Sequence, residues 1–142
     1  MYKNILVPLE NSKNDKIILN HIRPLAKMLK AHLFLVHVAD GYAARLQETL
    51  NLDDSEEIKK DRAYLEAQMT ALKKEGFDVE TYLAAGEPAK RILEIAHEKQ
   101  CDLIAMATHG HRFLQDLFLG SVAEELRHKT SIPILMLRVA KN

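Results

Sequence analysis

The fold is decided by the stretch IAMATHGHRFLQDLFLGSV, residues 104–122. It starts as an apolar run, which is typical of a buried strand, and becomes small and polar around Gly110. At Gly120 it changes to helical spacing, and Ser121 with Glu124 resembles a capping box, which predicts a helix that begins there. A strand, a glycine loop and a helix N-terminus in this order form a concave surface of unpaired backbone N–H groups, which suits phosphate. The stretch therefore predicts a phosphate-binding element.

The rest of the chain alternates short apolar runs with helical patterns. Strands are predicted at residues 5–7, 33–38, 79–83, 102–106 and 132–139, and helices start near Ser12, Ser55, Pro88 and Gly120. Strands separated by helices imply an α/β fold with a parallel sheet that is covered on both faces. In such folds ligands collect at the carboxyl ends of strands where the winding reverses. We expect two loops to wall that crevice, Pro8-Leu9-Glu10 and Ala107-Thr108-His109-Gly110.

Several local features carry narrower predictions. Pro24 lies inside an apolar stripe of helical spacing and predicts a kink. Tyr42, Leu46 and Leu50 recur at every fourth position and predict a short covering helix. Gly76 is expected to end the long charged helix in a left-handed conformation. The alternating third strand is expected at an edge of the sheet.

Composition narrows the class of protein. A chain of 142 residues with 47% hydrophobic and 28% charged residues predicts one globular domain with its own core, residues 1–142. Twenty basic and twenty acidic side chains cancel, which argues against a nucleic-acid partner. Cys101 is the only cysteine, so no internal disulfide or cysteine metal cage is expected. Because no signal-peptide pattern or membrane-length apolar run is present, we expect a cytoplasmic protein without a membrane partner.

The glycine loop matches neither of the common nucleotide motifs. It has no Gly-Lys-Ser/Thr, and no glycine triplet follows the first strand. His109, His111 and Arg112 add hydrogen-bond donors. Since no lysine is placed to stabilise charge during transfer, the pattern predicts phosphate binding with little catalysis.

With these motifs in place, the chain resembles a single-domain universal stress protein along nearly its whole length. The likeness rests on the opening Ile5-Leu6-Val7-Pro8-Leu9-Glu10-Asn11-Ser12, on Val36-His37-Val38 and on the turn Gly86-Glu87-Pro88. The family's nucleotide signature is glycine, two residues, glycine, nine residues, then glycine followed by serine or threonine. Ala107, Gly110, Gly120 and Ser121 occupy those places.

The resemblance implies a Rossmann-like five-stranded parallel sheet in the order 3-2-1-4-5 and ATP in the crevice, with Mg²⁺ as a possible companion. It places adenine near Pro8 and Val38, ribose near Glu10, and phosphates on Gly110, Gly120, Ser121 and Val122. The remaining predicted contacts are Leu9, Met106, Ala107, Thr108, His109, His111 and Arg112. It also implies a regulatory or protective role in the stress response. Two copies are expected to join antiparallel through the last strand, Pro133 to Val139.

Two departures from the family pattern predict weakened or adjusted binding. Ala107 replaces the first glycine of the signature and adds a methyl group close to the expected ligand. Glu10 stands where aspartate is frequent, so its carboxylate reaches further.

Alternatives stay open at this point. His109 and His111 are candidate metal ligands, and Thr108-His109-Gly110-His111 shares part of a nucleotidyltransferase His-x-Gly-His motif. Asp116 or Glu10 is a candidate for a slow ATPase, and a nucleotide-free dimeric interaction module is the other alternative. His37 is expected to be a hydrogen-bonded core histidine, and Cys101 an unactivated strand-end residue.

Overall fold

The structure, a computed structural model, describes residues 1–39, 56–109 and 117–139. Within these ranges strands and helices alternate, as the sequence predicts. They are β1 (Asn4–Pro8), α1 (Asn14–Leu29), β2 (His32–Ala39), α2 (Glu56–Lys74), β3 (Asp78–Ala85), α3 (Pro88–Glu98), β4 (Leu103–His109), α4 (Leu117–Lys129) and β5 (Ile134–Val139).

The strands form a single parallel sheet in the order β3-β2-β1-β4-β5. This confirms the predicted α/β fold and the order 3-2-1-4-5. The alternating third strand lies at one edge, as predicted, and β5 lies at the other. The chain reverses its direction of winding between β1 and β4, so the carboxyl ends of these two strands are adjacent.

Each face of the sheet has its own apolar core. Ile5 and Val7 of β1 face one core, which they share with α1 and α2, while Leu6 faces the other core, under α3 and α4. Because both faces are covered, successive residues of the inner strands are buried alternately above and below the sheet. This explains the continuous apolar runs by which the strands were predicted.

The start of α1 differs in detail from the predicted capping box. The carboxylate of Asp15 accepts the Ser12 N–H at 3.3 Å, as the motif requires. The Ser12 hydroxyl, however, accepts from the N–H of Asn14 at 3.2 Å, and the cap residue Lys13 makes no side-chain cap bond. The helix runs through Pro24, and the kink there stays a prediction.

The predicted roles of a glycine and a proline at two helix boundaries are confirmed. Gly76 follows α2 with φ of 97°, the left-handed conformation expected there. Pro88 stands in the first turn of α3. The helix predicted around Tyr42, Leu46 and Leu50 lies outside the described residues.

Two boundaries near the crevice correct the sequence-based predictions. Strand β4 extends to His109, so Ala107 and Thr108 belong to a strand and not to a loop. The reason is that β5 runs beside it to the end, pairing Ala107 with Leu137 and His109 with Val139. Helix α4 begins at Leu117, before Gly120, so Ser121 lies inside the helix and the predicted cap at Ser121 is wrong. The Leu-Phe-Leu run from Leu117 extends the helix because leucine is a strong helix former.

Candidate functional site

The pairing between β1 and β4 ends before either strand does. The two strands pair only at Ile5 with Leu103 and at Leu6 with Ile104. Beyond these pairs β1 continues to Pro8 and β4 to His109, and no further pairing joins them in this described region. By contrast, β1 stays paired with β2 as far as Pro8 with Val36. The strands therefore separate at their carboxyl ends, at the reversal of winding where α/β sheets bind ligands.

The first wall of the crevice is the loop that follows β1. The N–H of Leu9 donates to the carbonyl of Val36 at 2.7 Å, so the chain stays with β2 for one residue beyond the strand. Glu10 then lies half-buried at the rim. Its Oε1 accepts from the Ser12 hydroxyl at 2.7 Å and from the Asn14 side-chain amide at 3.1 Å. These bonds hold the Glu10 carboxylate at the N-terminus of α1.

Asp15 occupies the ring of backbone N–H groups formed by the same loop. Its carboxylate accepts from the N–H groups of Glu10, Asn11 and Ser12 at 3.0, 2.8 and 3.3 Å, and from the Tyr64 hydroxyl at 2.7 Å. Only 1% of Asp15 is exposed. Burial raises its pKa, while these hydrogen bonds act in the opposite direction. Since an internal anion already fills this ring, a ligand phosphate is expected on the other wall.

The other wall comes from β4 and α4. Val38, Met106 and Val122 are all buried in the core on the α3 and α4 side. Ala107 is fully buried in the opposite core, which also contains Leu9. The methyl group that replaces the signature glycine therefore occupies core space under α1.

The predicted phosphate contacts are only partly within the described structure. Thr108 is half-buried near the end of β4, and His109 ends that strand. Because α4 begins at Leu117, the N–H groups without an intrahelical acceptor are those at the start of its first turn, and Gly120 follows directly after them. Ser121 and Val122 follow within the helix. Three predicted contacts lie outside the described ranges, namely Gly110, His111 and Arg112, and so does Asp116, the candidate for slow hydrolysis.

His37 is a core histidine with partners on both ring nitrogens, as predicted. Nδ1 lies 2.8 Å from the carbonyl oxygen of Leu9, and Nε2 lies 3.3 Å from Oδ2 of Asp61. The other oxygen of Asp61 accepts from the Asn11 side-chain amide at 2.9 Å. This buried chain of contacts connects β2, α2 and the loop after β1.

Sequence reasoning missed Asp61 and Tyr64 as members of the site. Both lie on α2, which is separated from the loop after β1 by more than forty residues of sequence. One signal was present, because Asp61 interrupts the apolar face that carries Ile58 and Leu65. A carboxylate on the buried face of a helix needs a polar partner, although the sequence does not identify that partner.

Metal and thiol chemistry find no support in the described ranges. No group of three or more His, Cys, Asp or Glu side chains is placed there to hold a metal ion. Cys101 is buried, and burial together with Asp102 and Glu80 raises the pKa of its thiol to about 12. It is therefore an unreactive thiol at neutral pH, as predicted. No helix within residues 1–39, 56–109 and 117–139 has the length and apolar character to cross a membrane.

Comparison with known proteins gives the family. A model of the universal stress protein family matches residues 1–138. The chain belongs to the universal stress protein family. It is 29% identical to Universal stress protein MJ0577 of Methanocaldococcus jannaschii, over 97% of this chain and 96% of that protein. The solved structure of MJ0577 superposes with a TM-score of 0.79, at 28% identity, and covers 100% of this chain and 99% of that one.

Two further solved universal stress proteins share the fold. One, from Archaeoglobus fulgidus, was solved in complex with dAMP and has a TM-score of 0.69 at 21% identity, covering 95% of this chain and 97% of that one. The other was solved in complex with cAMP and has a TM-score of 0.70 at 19% identity, covering 98% of both chains. At 21% and 19% identity, these two comparisons show that the chain has the same fold as those proteins.

Proposed function

We propose that this universal stress protein binds ATP in the crevice between β1 and β4, and that occupancy tunes its conformation or its choice of partner in the stress response. The observation that carries the proposal is the separation of β1 from β4 beyond Leu6 and Ile104. Fold relatives solved with dAMP and cAMP support an adenine nucleotide as the ligand class.

Each part of ATP has a proposed position. Adenine lies beside Pro8 and Val38, at the ends of β1 and β2. The ribose hydroxyls donate to the carboxylate of Glu10, which Ser12 and Asn14 hold at the rim.

The phosphates, with or without Mg²⁺, lie where β4 leads into α4. Backbone N–H groups from Gly110 and from the first turn of α4 bind them, with Gly120, Ser121 and Val122 beside the phosphates. The side chains of the intervening segment, including His111 and Arg112, complete the site.

Binding is proposed without efficient catalysis. No Gly-Lys-Ser/Thr sequence brings a lysine to the phosphates. The carboxylate of Glu10 is engaged with Ser12 and Asn14, which suits holding a sugar better than activating a water molecule. The protein is therefore proposed to act as a cytoplasmic regulatory or protective factor.

Ligand retention tests the proposal. The full chain, purified gently without added nucleotide, is examined by native mass spectrometry. ATP or a product of ATP is expected to remain bound. If the protein is recovered without nucleotide and does not take up added ATP, the nucleotide-free interaction module becomes the better account.

We further propose a homodimer through β5, with the two copies paired antiparallel. β5 forms the outer edge of the sheet, and its outward side chains include Met136, which is 40% exposed. An apolar edge strand invites pairing with another strand. A two-fold axis beside β5 joins two such edges and leaves neither of them open.

Met136→Lys is expected to weaken this dimer at least about tenfold, because two lysines would face each other near the axis. The matched control is Met28→Lys, because this methionine is 76% exposed and lies on helix α1 instead of the edge strand. Sedimentation equilibrium measures both variants. A wild-type monomer, or equal dissociation constants for the two variants, contradicts the proposed interface.

A further inference from the structure

Helix α2 contributes two polar side chains to the loop after β1, although it lies far from that loop in sequence. Asp61 is 7% exposed and contacts both Asn11 and His37. Tyr64, one turn later, donates its hydroxyl to Asp15 at 2.7 Å. Both contacts are part-buried and join α2 to the loop after β1 or to the carboxylate that the loop surrounds.

The Asp61 contact secures the loop at two points. Asn11 has φ of 59°, a left-handed conformation that asparagine adopts more readily than most residues. Its side-chain amide donates to Oδ1 of Asp61 at 2.9 Å, which fixes this turn against α2. Oδ2 of Asp61 faces His37, whose other nitrogen lies 2.8 Å from the carbonyl oxygen of Leu9.

Both ring nitrogens of His37 face oxygen atoms. Leu9 presents a carbonyl oxygen to Nδ1, and Asp61 presents a carboxylate oxygen to Nε2. His37 therefore connects the loop after β1 with α2 through contacts at both nitrogens.

The Tyr64 contact acts through Asp15. The carboxylate of Asp15 accepts hydrogen bonds from the N–H groups of Glu10, Asn11 and Ser12. The Tyr64 hydroxyl is a fourth donor, and it shares Oδ2 with Asn11 and Ser12. It therefore orients the carboxylate that shapes the loop.

We propose that Asp61 and Tyr64 are positioning residues through which α2 holds the loop Leu9–Ser12 in the conformation that presents Glu10 to the ligand. The affinity for ATP then depends on how firmly α2 is docked. By linkage, bound ATP stabilises the docking of α2 to the same extent. The effect on ATP affinity rests on the proposed function. The claim that α2 holds the loop in place does not depend on any ligand.

Hydrogen exchange and ATP titration test the inference on the full chain. The variants are Tyr64→Phe and Asp61→Leu, which keep the approximate size of each side chain and remove the oxygen atoms that contact the loop or Asp15. In both, the amides of Asn11 and Ser12 are expected to exchange about tenfold faster, and the affinity for ATP is expected to fall about tenfold.

Two controls match the chemistry at other places in the fold. Tyr82→Phe removes a hydroxyl that donates to Glu80 at 2.7 Å on the edge strand β3. Asp102→Leu removes a carboxylate that accepts the N–H groups of Lys3 and Asn4 at the opposite end of the sheet. Both controls are expected to leave loop exchange and ATP affinity within about twofold of wild type.

The two readouts separate the inference from the proposed function. Unchanged loop exchange in both α2 variants overturns the inference, whether or not ATP binds. Faster loop exchange with unchanged ATP affinity also overturns the inference. Amide exchange that becomes faster to the same extent in the strands and in the loop overturns it too, because this indicates global destabilisation. If wild-type protein fails to bind ATP, the proposed function fails, and the loop exchange rates alone decide whether α2 positions the loop.

Discussion

Replacing Gly120 with valine is expected to weaken ATP binding by about 10- to 100-fold with little change in the melting temperature. Gly120 lies in the first turn of α4, next to the N–H groups that have no intrahelical acceptor. A branched side chain there obstructs the approach of the phosphates to the backbone, and steric overlap of this kind costs about 1–3 kcal/mol. The fold is spared because valine has a better helix propensity than glycine. Calorimetric titration and thermal unfolding measure the two effects.

Gly76→Val is the matched control. Gly76 has φ of 97° at the end of α2, and no atom lies within 4 Å of an added Cβ. Strain from the positive φ is expected to lower the free energy of unfolding by about 1–2 kcal/mol without affecting ATP affinity. The two glycines should therefore behave in opposite ways. Unchanged ATP affinity in Gly120→Val means that the phosphates lie elsewhere.

Asp15→Ala is expected to lower the free energy of unfolding by about 3 kcal/mol or more. The substitution removes the acceptor from three backbone N–H groups and from the Tyr64 hydroxyl. Buried donors without partners cost about 1–3 kcal/mol each, although solvent that enters the loop recovers part of this. The loss should therefore exceed that of an ordinary surface substitution several-fold. Urea unfolding at neutral pH measures it.

Asp102→Ala provides the comparison, because Asp102 also accepts two backbone N–H groups, those of Lys3 and Asn4. It is half-buried, and water can replace its hydrogen bonds. A loss of about 1 kcal/mol is expected. Equal losses at Asp15 and Asp102 contradict the view that Asp15 organises the loop after β1.

The architecture could be predicted because the sheet is covered on both faces. Burial on both sides makes β1 a continuous apolar run, and Gly76 and Pro88 mark the ends of helices by conformations that few other residues adopt. The strand order came from family resemblance, since short apolar runs do not identify their neighbours. Gly-x-Pro and the bracketed glycines carried that resemblance.

The boundaries at the crevice could not be predicted from local patterns. Ala107 and Thr108 are polar or small enough to suit a loop, and they lie in β4 because β5 pairs with them. Ser121 has the spacing of a helix cap, yet α4 had already begun at Leu117. In both cases a neighbouring element or an adjacent helical run overrides a short motif.

The contacts that hold the loop after β1 depend on the tertiary structure. His37 could be predicted to be hydrogen-bonded because it lies in a buried strand, but its partner Asp61 comes from a helix whose docking no local pattern reveals. The same holds for Tyr64 and Asp15. Such pairs become visible only when the packing of α2 against α1 and β2 is known.

The most direct test of the account is a calorimetric titration of the full-length wild-type protein with ATP. The crevice between β1 and β4 predicts saturable heat with one nucleotide bound per chain, and a matching rise in the melting temperature. Millimolar ATP that produces neither heat nor a thermal shift contradicts the proposed site, and the protein is then better described as a dimeric interaction module.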